Sequence, residues 1–225
     1  MTLDHLDKLF QLIVFLFAIS FHESAHAWMA NRCGDPTARM LGRVSLNPIR
    51  HIDPVGTILM PAIALFTGFP TIGWAKPTPV DPRNFRNPVR DDILTSVAGP
   101  VSNFIVATAA TLLLGGIALA IPAGRPIIRE VIYRVIFSDS QLVPAILLLH
   151  ELVMINVVLG VFNLIPVPPL DGSHVLRHFM PETIRRAYDA MGWVGLLVLV
   201  YFGGRFLGML IFPVENFFDS IILRF

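Results

Sequence analysis

The chain has 225 residues, a formal net charge of +1, 54% hydrophobic residues and 15% charged residues. A soluble domain averages about 45–50% apolar and about 25% charged, and here the excess lies in discrete runs, which excludes an ordinary water-soluble globule. Near-neutral charge argues neither for nor against nucleic acid, and none is expected as a partner; the single cysteine, Cys33, excludes an internal disulfide and a four-thiolate metal site.

The first ten residues, MTLDHLDKLF, lack a basic leader region and a small-residue cleavage site. The apolar run that follows, Leu9–Ala30, is therefore read as a retained helix. It is one of four runs long enough to span a bilayer, which takes about 20 residues; the others are Ile93–Ile121, Leu142–Ile165 and Trp193–Phe212. A fifth run, Val55–Phe69, has fifteen residues with Pro61 in its middle, and reads as a re-entrant or kinked segment. Leu41–Asn47 and Thr71–Val80 alternate loosely and are too short and polar to span, so short paired strands are expected there. Pro77 and Pro79 suit an edge strand, because proline donates no hydrogen bond to a ladder. Residues 81–92 read as a polar loop, Gly124–Gln141 as an amphipathic interfacial segment, and Pro181–Gly192 as a short interfacial helix leading into the last span. The expectation is an α-helical polytopic membrane protein: about four full spans, one re-entrant segment and small membrane-associated strands. Residues 1–225 would form a single membrane-embedded domain, with a core over 9–176 and the C-terminal helix and last span over 181–212.

Ionisable residues inside an apolar run are costly and mark function. The first run contains His22-Glu23-Ser24-Ala25-His26. On a helix, residues four apart share a face, so His22 and His26 can bind one metal ion, and H-E-x-x-H is the zinc metalloprotease signature. Glu23, next to the first ligand, is placed to act as general base. A catalytic zinc takes a third protein ligand. Asp171 is the carboxylate of a segment, Asn163 to Gly172, whose three prolines must unwind the helix; the segment alone leaves open whether Asp171 binds metal or caps the following helix. Asn163 is either a donor to a developing oxyanion or an interhelical hydrogen bonder.

The chain resembles the site-2 protease family of intramembrane zinc metalloproteases, in compact form. The matching blocks are FHESAHAWMA at 21–30, GRVSLNPIRHIDPVGTILMP at 42–61, GWAKPTPVDPRNF at 73–85, SVAGPVSNF at 96–104 and NLIPVPPLDGSHVL at 163–176. The resemblance implies one Zn2+ per chain held by His22, His26 and Asp171, with Glu23 as catalytic base and Asn163 positioning the reacting carbonyl. It implies a transmembrane substrate protein and the lipid bilayer as partners. Many relatives have a further helix before the metal-binding one, and several carry soluble domains that this sequence does not display.

Other polar residues are left with structural readings. His51 and Asp53 are loop hydrogen bonders or partners of the site; Asn103 faces the site or another helix; His174 and His178 lie on a solvated helix face; His150-Glu151 lacks a second histidine and is no zinc motif. His26 and Asp171 each lie near the C-terminal end of a run, so those ends should share one side of the membrane. That parity requires one intervening run not to cross, and Val55–Phe69 is the short one. Loops 31–92 and 166–192 hold eight and three of the seventeen Lys and Arg residues, which favours a cytoplasmic site in a bacterial or archaeal cell membrane. Segments near Arg43–Asn47 and Trp74–Val80 are expected to offer an edge to an unwound substrate. The rival reading is a non-proteolytic zinc-binding membrane protein, either a transporter or a scaffold for transmembrane helices.

Overall fold

In hydrocarbon a chain must satisfy its backbone hydrogen bonds internally, so long apolar runs become helices. The computed structural model describes residues 3–59 and 75–225. Its long helices are α1 (Leu3–Cys33), α3 (Pro88–Ala120), α5 (Leu142–Asn163), α7 (Glu182–Phe202) and α8 (Gly204–Ile222), with short helices α2 (Thr37–Met40), α4 (Gly124–Ile132) and α6 (Asp171–Arg177). Helices α1, α3 and α5 are each long and apolar enough to cross a membrane. The chain is thus a multi-pass helical membrane protein.

The expected fourth span, Trp193–Phe212, is not one straight helix. It breaks at Gly203, and α7 and α8 are bent by 79°; consecutive glycines at 203 and 204 have low helix propensity and permit the break. The expected boundary at Gly192 is present as a kink with φ +43°. Helix α3 starts earlier than expected: Pro88 takes the first helical position and the Asp91 carboxylate accepts the N–H of Asn87 at 2.8 Å.

No strand occurs among the described residues. Leu41–Asn47 is turn and irregular chain, and residues 75–80 are irregular chain without a ladder. The reason is the donor inventory. Pro77 and Pro79 have no N–H, and one backbone bond, Lys76 N–H to His51 O at 2.8 Å, ties the segment. The Arg43 guanidinium supplies the rest, donating to the carbonyls of Arg50, Lys76 and Pro77. Pro54–Leu59, which takes in the start of the fifteen-residue run, forms a single π-helical turn; the rest of that run, and residues 71–74 of the second expected strand, lie outside the described residues.

Packing divides the chain into two units, Ile19–Gly99 and Met1–Ala18 with Pro100–Phe225. The larger has a core of Ala107, Leu114, Ile128, Val131, Ile146, Val157 and Phe218, with α5 packed on α4 and α8. Helix α4 is the expected amphipathic segment, burying Ile127, Ile128 and Val131. Asn103 donates to Asn156 at 2.8 Å, an interhelical bond of the kind that fastens helices in lipid. Glu151 pairs with Arg134 at 2.7 Å, and His150 contacts Asp219 at 3.0 Å.

The smaller unit has an apolar cluster of Ala30, Cys33 and Phe85. Beside it, buried Asp35 accepts from the Thr37 N–H and hydroxyl, the Asn84 amide and the Asp81 N–H. Burial alone would raise its carboxyl, but these donors outweigh it and hold the value below the ordinary 3.8. A depressed folded-state value stabilises the fold above the unfolded value and is lost as pH falls through the folded one. Asp35→Asn is expected to cost about 1–3 kcal/mol at neutral pH and to flatten the loss of stability below about pH 4. Thermal unfolding across pH checks this; identical acid slopes in variant and wild type would sink it.

Candidate metal centre

Helix α1 brings His22 and His26 one turn apart, each 7% exposed. Their Nε2 atoms are 3.0 Å from one another, and the rings meet edge to face. His26 Nδ1 lies 2.7 Å from the carbonyl oxygen of Thr95. A carbonyl only accepts, so Nδ1 carries the proton and Nε2 keeps its lone pair. Thr95 lies in the turn of α3 just before Pro100. A carbonyl oxygen has two lone pairs, so the Thr95 oxygen can accept the imidazole N–H beside its own helical bond.

Gly99 faces both imidazoles. A Cβ there would stand 2.3 Å from His26 Nε2 and 2.6 Å from His22 Nε2. The two nitrogens thus converge on a space that glycine alone leaves open. Two imidazoles on one tetrahedral zinc, each about 2.0–2.1 Å away, have nitrogens about 3.3 Å apart. The observed separation and the glycine-lined space fit that ion.

Glu23, half-buried, turns its carboxylate to Thr78. Oε2 accepts the Thr78 N–H at 2.9 Å and its hydroxyl at 2.7 Å, and the hydroxyl also lies 3.0 Å from the Glu23 carbonyl. Arg43 is buried nearby; burial disfavours its charge, while the negative charge of Glu23 supports it. His51 is a buried loop anchor, with Nε2 donating to the Ser45 carbonyl at 2.7 Å. Burial lowers its pKa against the pull of Ser45, and the Arg43 charge lowers it further. Asp53 fastens the next turn, accepting the N–H groups of Val55 and Gly56.

In the larger unit α5 ends at Asn163, where the prolines were expected to stop it. Asp171 is the first residue of α6 and half-buried, and the N-cap position before it is Leu170. A Cβ on Gly172 would lie 2.2 Å from the Leu164 carbonyl oxygen, so the chain turns tightly behind the carboxylate. Asn163 donates through Nδ2 to the Leu159 carbonyl at 3.0 Å, a bond within its own helix. His174 and His178 are half-buried. Thr78, Arg43, Thr95 and Gly99 were not singled out from sequence. Thr78, Arg43 and Gly99 had only their membership of the matching blocks as a signal, which carries no contact information, and Thr95, one residue before the block at 96–104, had none.

The profile of peptidase family M50 matches residues 10–202. YwhC of Bacillus subtilis (strain 168), whose name describes a zinc metalloprotease, is 36% identical over 195 residues, 84% of this chain and 78% of its own. Rip2 of Mycolicibacterium smegmatis, similarly named, is 28% identical over 211 residues, 92% of this chain and 69% of its own. The regulator of sigma-E protease RseP of Escherichia coli (strain K12) is 30% identical over 148 residues, 62% of this chain and 32% of its own. No solved structure matches the chain. With a motif helix, an imidazole pair and a family match over most of its length, this chain belongs to peptidase family M50, the site-2 protease family of intramembrane zinc metalloproteases.

Proposed function

We propose that this chain cuts a peptide bond within a transmembrane segment of a membrane-protein substrate, using one Zn2+ held by His22, His26 and Asp171. The observation that carries the reading is the pair of imidazole nitrogens 3.0 Å apart with a glutamate carboxylate on the adjacent residue. Asp171 supports it as a third ligand by chemistry: two neutral imidazoles and one carboxylate form the donor set of several catalytic zinc sites, and Asp171 supplies one oxygen. Zinc, when bound, supplies a Lewis acid that polarises the scissile carbonyl and acidifies water. Glu23 takes the proton of the attacking water and returns it to the leaving amine. Thr95 holds the His26 ring through its Nδ1–H. Asn163 uses one of its two amide hydrogens on Leu159, and the other is available to the reacting carbonyl. A helical substrate hides its carbonyls in its own hydrogen bonds, so it must unwind locally before attack.

Residues 1–225 act as one membrane-embedded protease domain in a bacterial or archaeal cell membrane, with the site toward the cytoplasm. The excess of Lys and Arg on the loops around the site supports that orientation, and the bacterial relatives support the setting. The regulatory name of the RseP relatives supports a role in regulated proteolysis.

Reconstituted protein and a panel of single-span substrates test this. Wild type at one zinc per chain is expected to cut inside a span, as read from product masses, to stop on chelation and to resume with added zinc. Asp171→Ala is expected to bind zinc at least about 10- to 100-fold more weakly, the loss seen even for outer-shell partners. Cuts confined to soluble segments would sink the intramembrane reading. Full zinc affinity in Asp171→Ala would remove that residue from the ligand set.

A further inference from the structure

We infer that Thr78 is a positioning residue for the base Glu23, and that Arg43 together with two flanking prolines holds Thr78 in place. The inference rests on the reading of Glu23 as general base. Both donors of Thr78 converge on a single carboxylate oxygen: Oε2 takes the N–H at 2.9 Å and the hydroxyl at 2.7 Å. Among the described residues no hydrogen bond is made to Oε1. The two oxygens of one carboxylate are thereby given separate tasks, Oε2 fixed to the protein and Oε1 left to take a proton from water. Glutamate has three side-chain torsions, and an untied carboxylate would spend most of its time pointing elsewhere.

The segment presenting Thr78 is rigid for reasons visible in Pro77-Thr78-Pro79. Proline fixes its own φ, and a residue before proline is restricted to extended conformations. Little conformational freedom remains to be lost when Thr78 meets Glu23. The segment is then anchored from its other side. Arg43 donates to the Lys76 and Pro77 carbonyls, the latter at 2.7 Å, and the His51 carbonyl accepts the Lys76 N–H at 2.8 Å. The Thr78 hydroxyl also lies 3.0 Å from the Glu23 carbonyl oxygen, but its single proton goes to the nearer Oε2 at 2.7 Å. A buried arginine spent on main-chain carbonyls, rather than on a carboxylate, makes sense as a clamp on this segment.

Thr78→Val keeps the shape and the N–H but removes the hydroxyl donor; Thr78→Ser restores it. The expected result is a kcat about 10- to 100-fold lower in Thr78→Val, the worth of a charge-assisted hydrogen bond. KM should stay within about twofold and zinc at one per chain, with Thr78→Ser close to wild type. A readout independent of activity is hydrogen exchange of the Thr78 amide in the metal-free protein. It should quicken about tenfold or more in Glu23→Ala, because its acceptor is gone. Unchanged kcat in Thr78→Val, a loss confined to KM, loss of zinc in that variant, failure of Thr78→Ser to rescue, or an unaltered Thr78 amide would each overturn the inference. Glu23→Gln separates it from the underlying reading: an active Glu23→Gln rejects Glu23 as base, whereas an inactive one beside a normal Thr78→Val rejects the positioning role alone.

Discussion

Glu23→Gln is expected to lower kcat by about 10²- to 10⁴-fold, the range for a general acid–base group, while zinc stays at one per chain. The substitution preserves size and leaves an oxygen for the Thr78 donors, which meet the native carboxylate at 2.7 and 2.9 Å. It removes the ability to take a proton. The imidazoles of His22 and His26 are untouched, because His26 is oriented by Thr95 and not by Glu23. Metal analysis and single-turnover cleavage of one reconstituted substrate measure both quantities. Cleavage within tenfold of wild type would mean that the proton is handled elsewhere. Zinc flux in proteoliposomes distinguishes the rival: a transporter would keep its flux in this variant, since the ligands remain, and would show no cleavage in either form.

Gly99→Ala is the second large effect expected. Its added Cβ would lie 2.3 Å from His26 Nε2 and 2.6 Å from His22 Nε2, in the space on which both nitrogens converge. The methyl cannot be accommodated without turning an imidazole away or shifting α3. Overpacking of this kind costs about 1–3 kcal/mol, which leaves a folded protein with a disabled metal centre. Zinc content well below one per chain and a matching loss of cleavage are expected. Gly116→Ala on the same helix is the control, because its Cβ meets nothing within 4 Å. A Gly99→Ala protein that binds zinc with native affinity would show that the two histidines converge on some other point.

The expectation of strands failed at Leu41–Asn47 and at residues 75–80 through a local rule applied without its partner. Alternation reports which side chains could face one way, and says nothing of where the hydrogen bonds of the backbone go. In this chain Arg43 satisfies carbonyls that a ladder would have used. A single arginine in GRVSLN carries no sequence mark of that duty. The bend in the last apolar run was not legible for a related reason: the run is apolar on both sides of Gly203 and Gly204, but the direction of a helix on either side of a glycine pair is set by packing.

By itself the sequence determined the class of protein, the helices α1, α3 and α5 and the chemistry of their motif. Apolar length and the spacing of His22, Glu23 and His26 are local properties, and local hydrogen bonding enforces them in a bilayer. Only the tertiary structure decided that Gly99 clears the space before the two imidazoles, that Thr95 sets the His26 tautomer and that Thr78 meets the Glu23 carboxylate. Thr78 stands 55 residues from Glu23, and Thr95 stands 69 from His26. Contacts at such separations arise from how helices and the irregular segment pack, and no periodicity or residue preference along the chain encodes them.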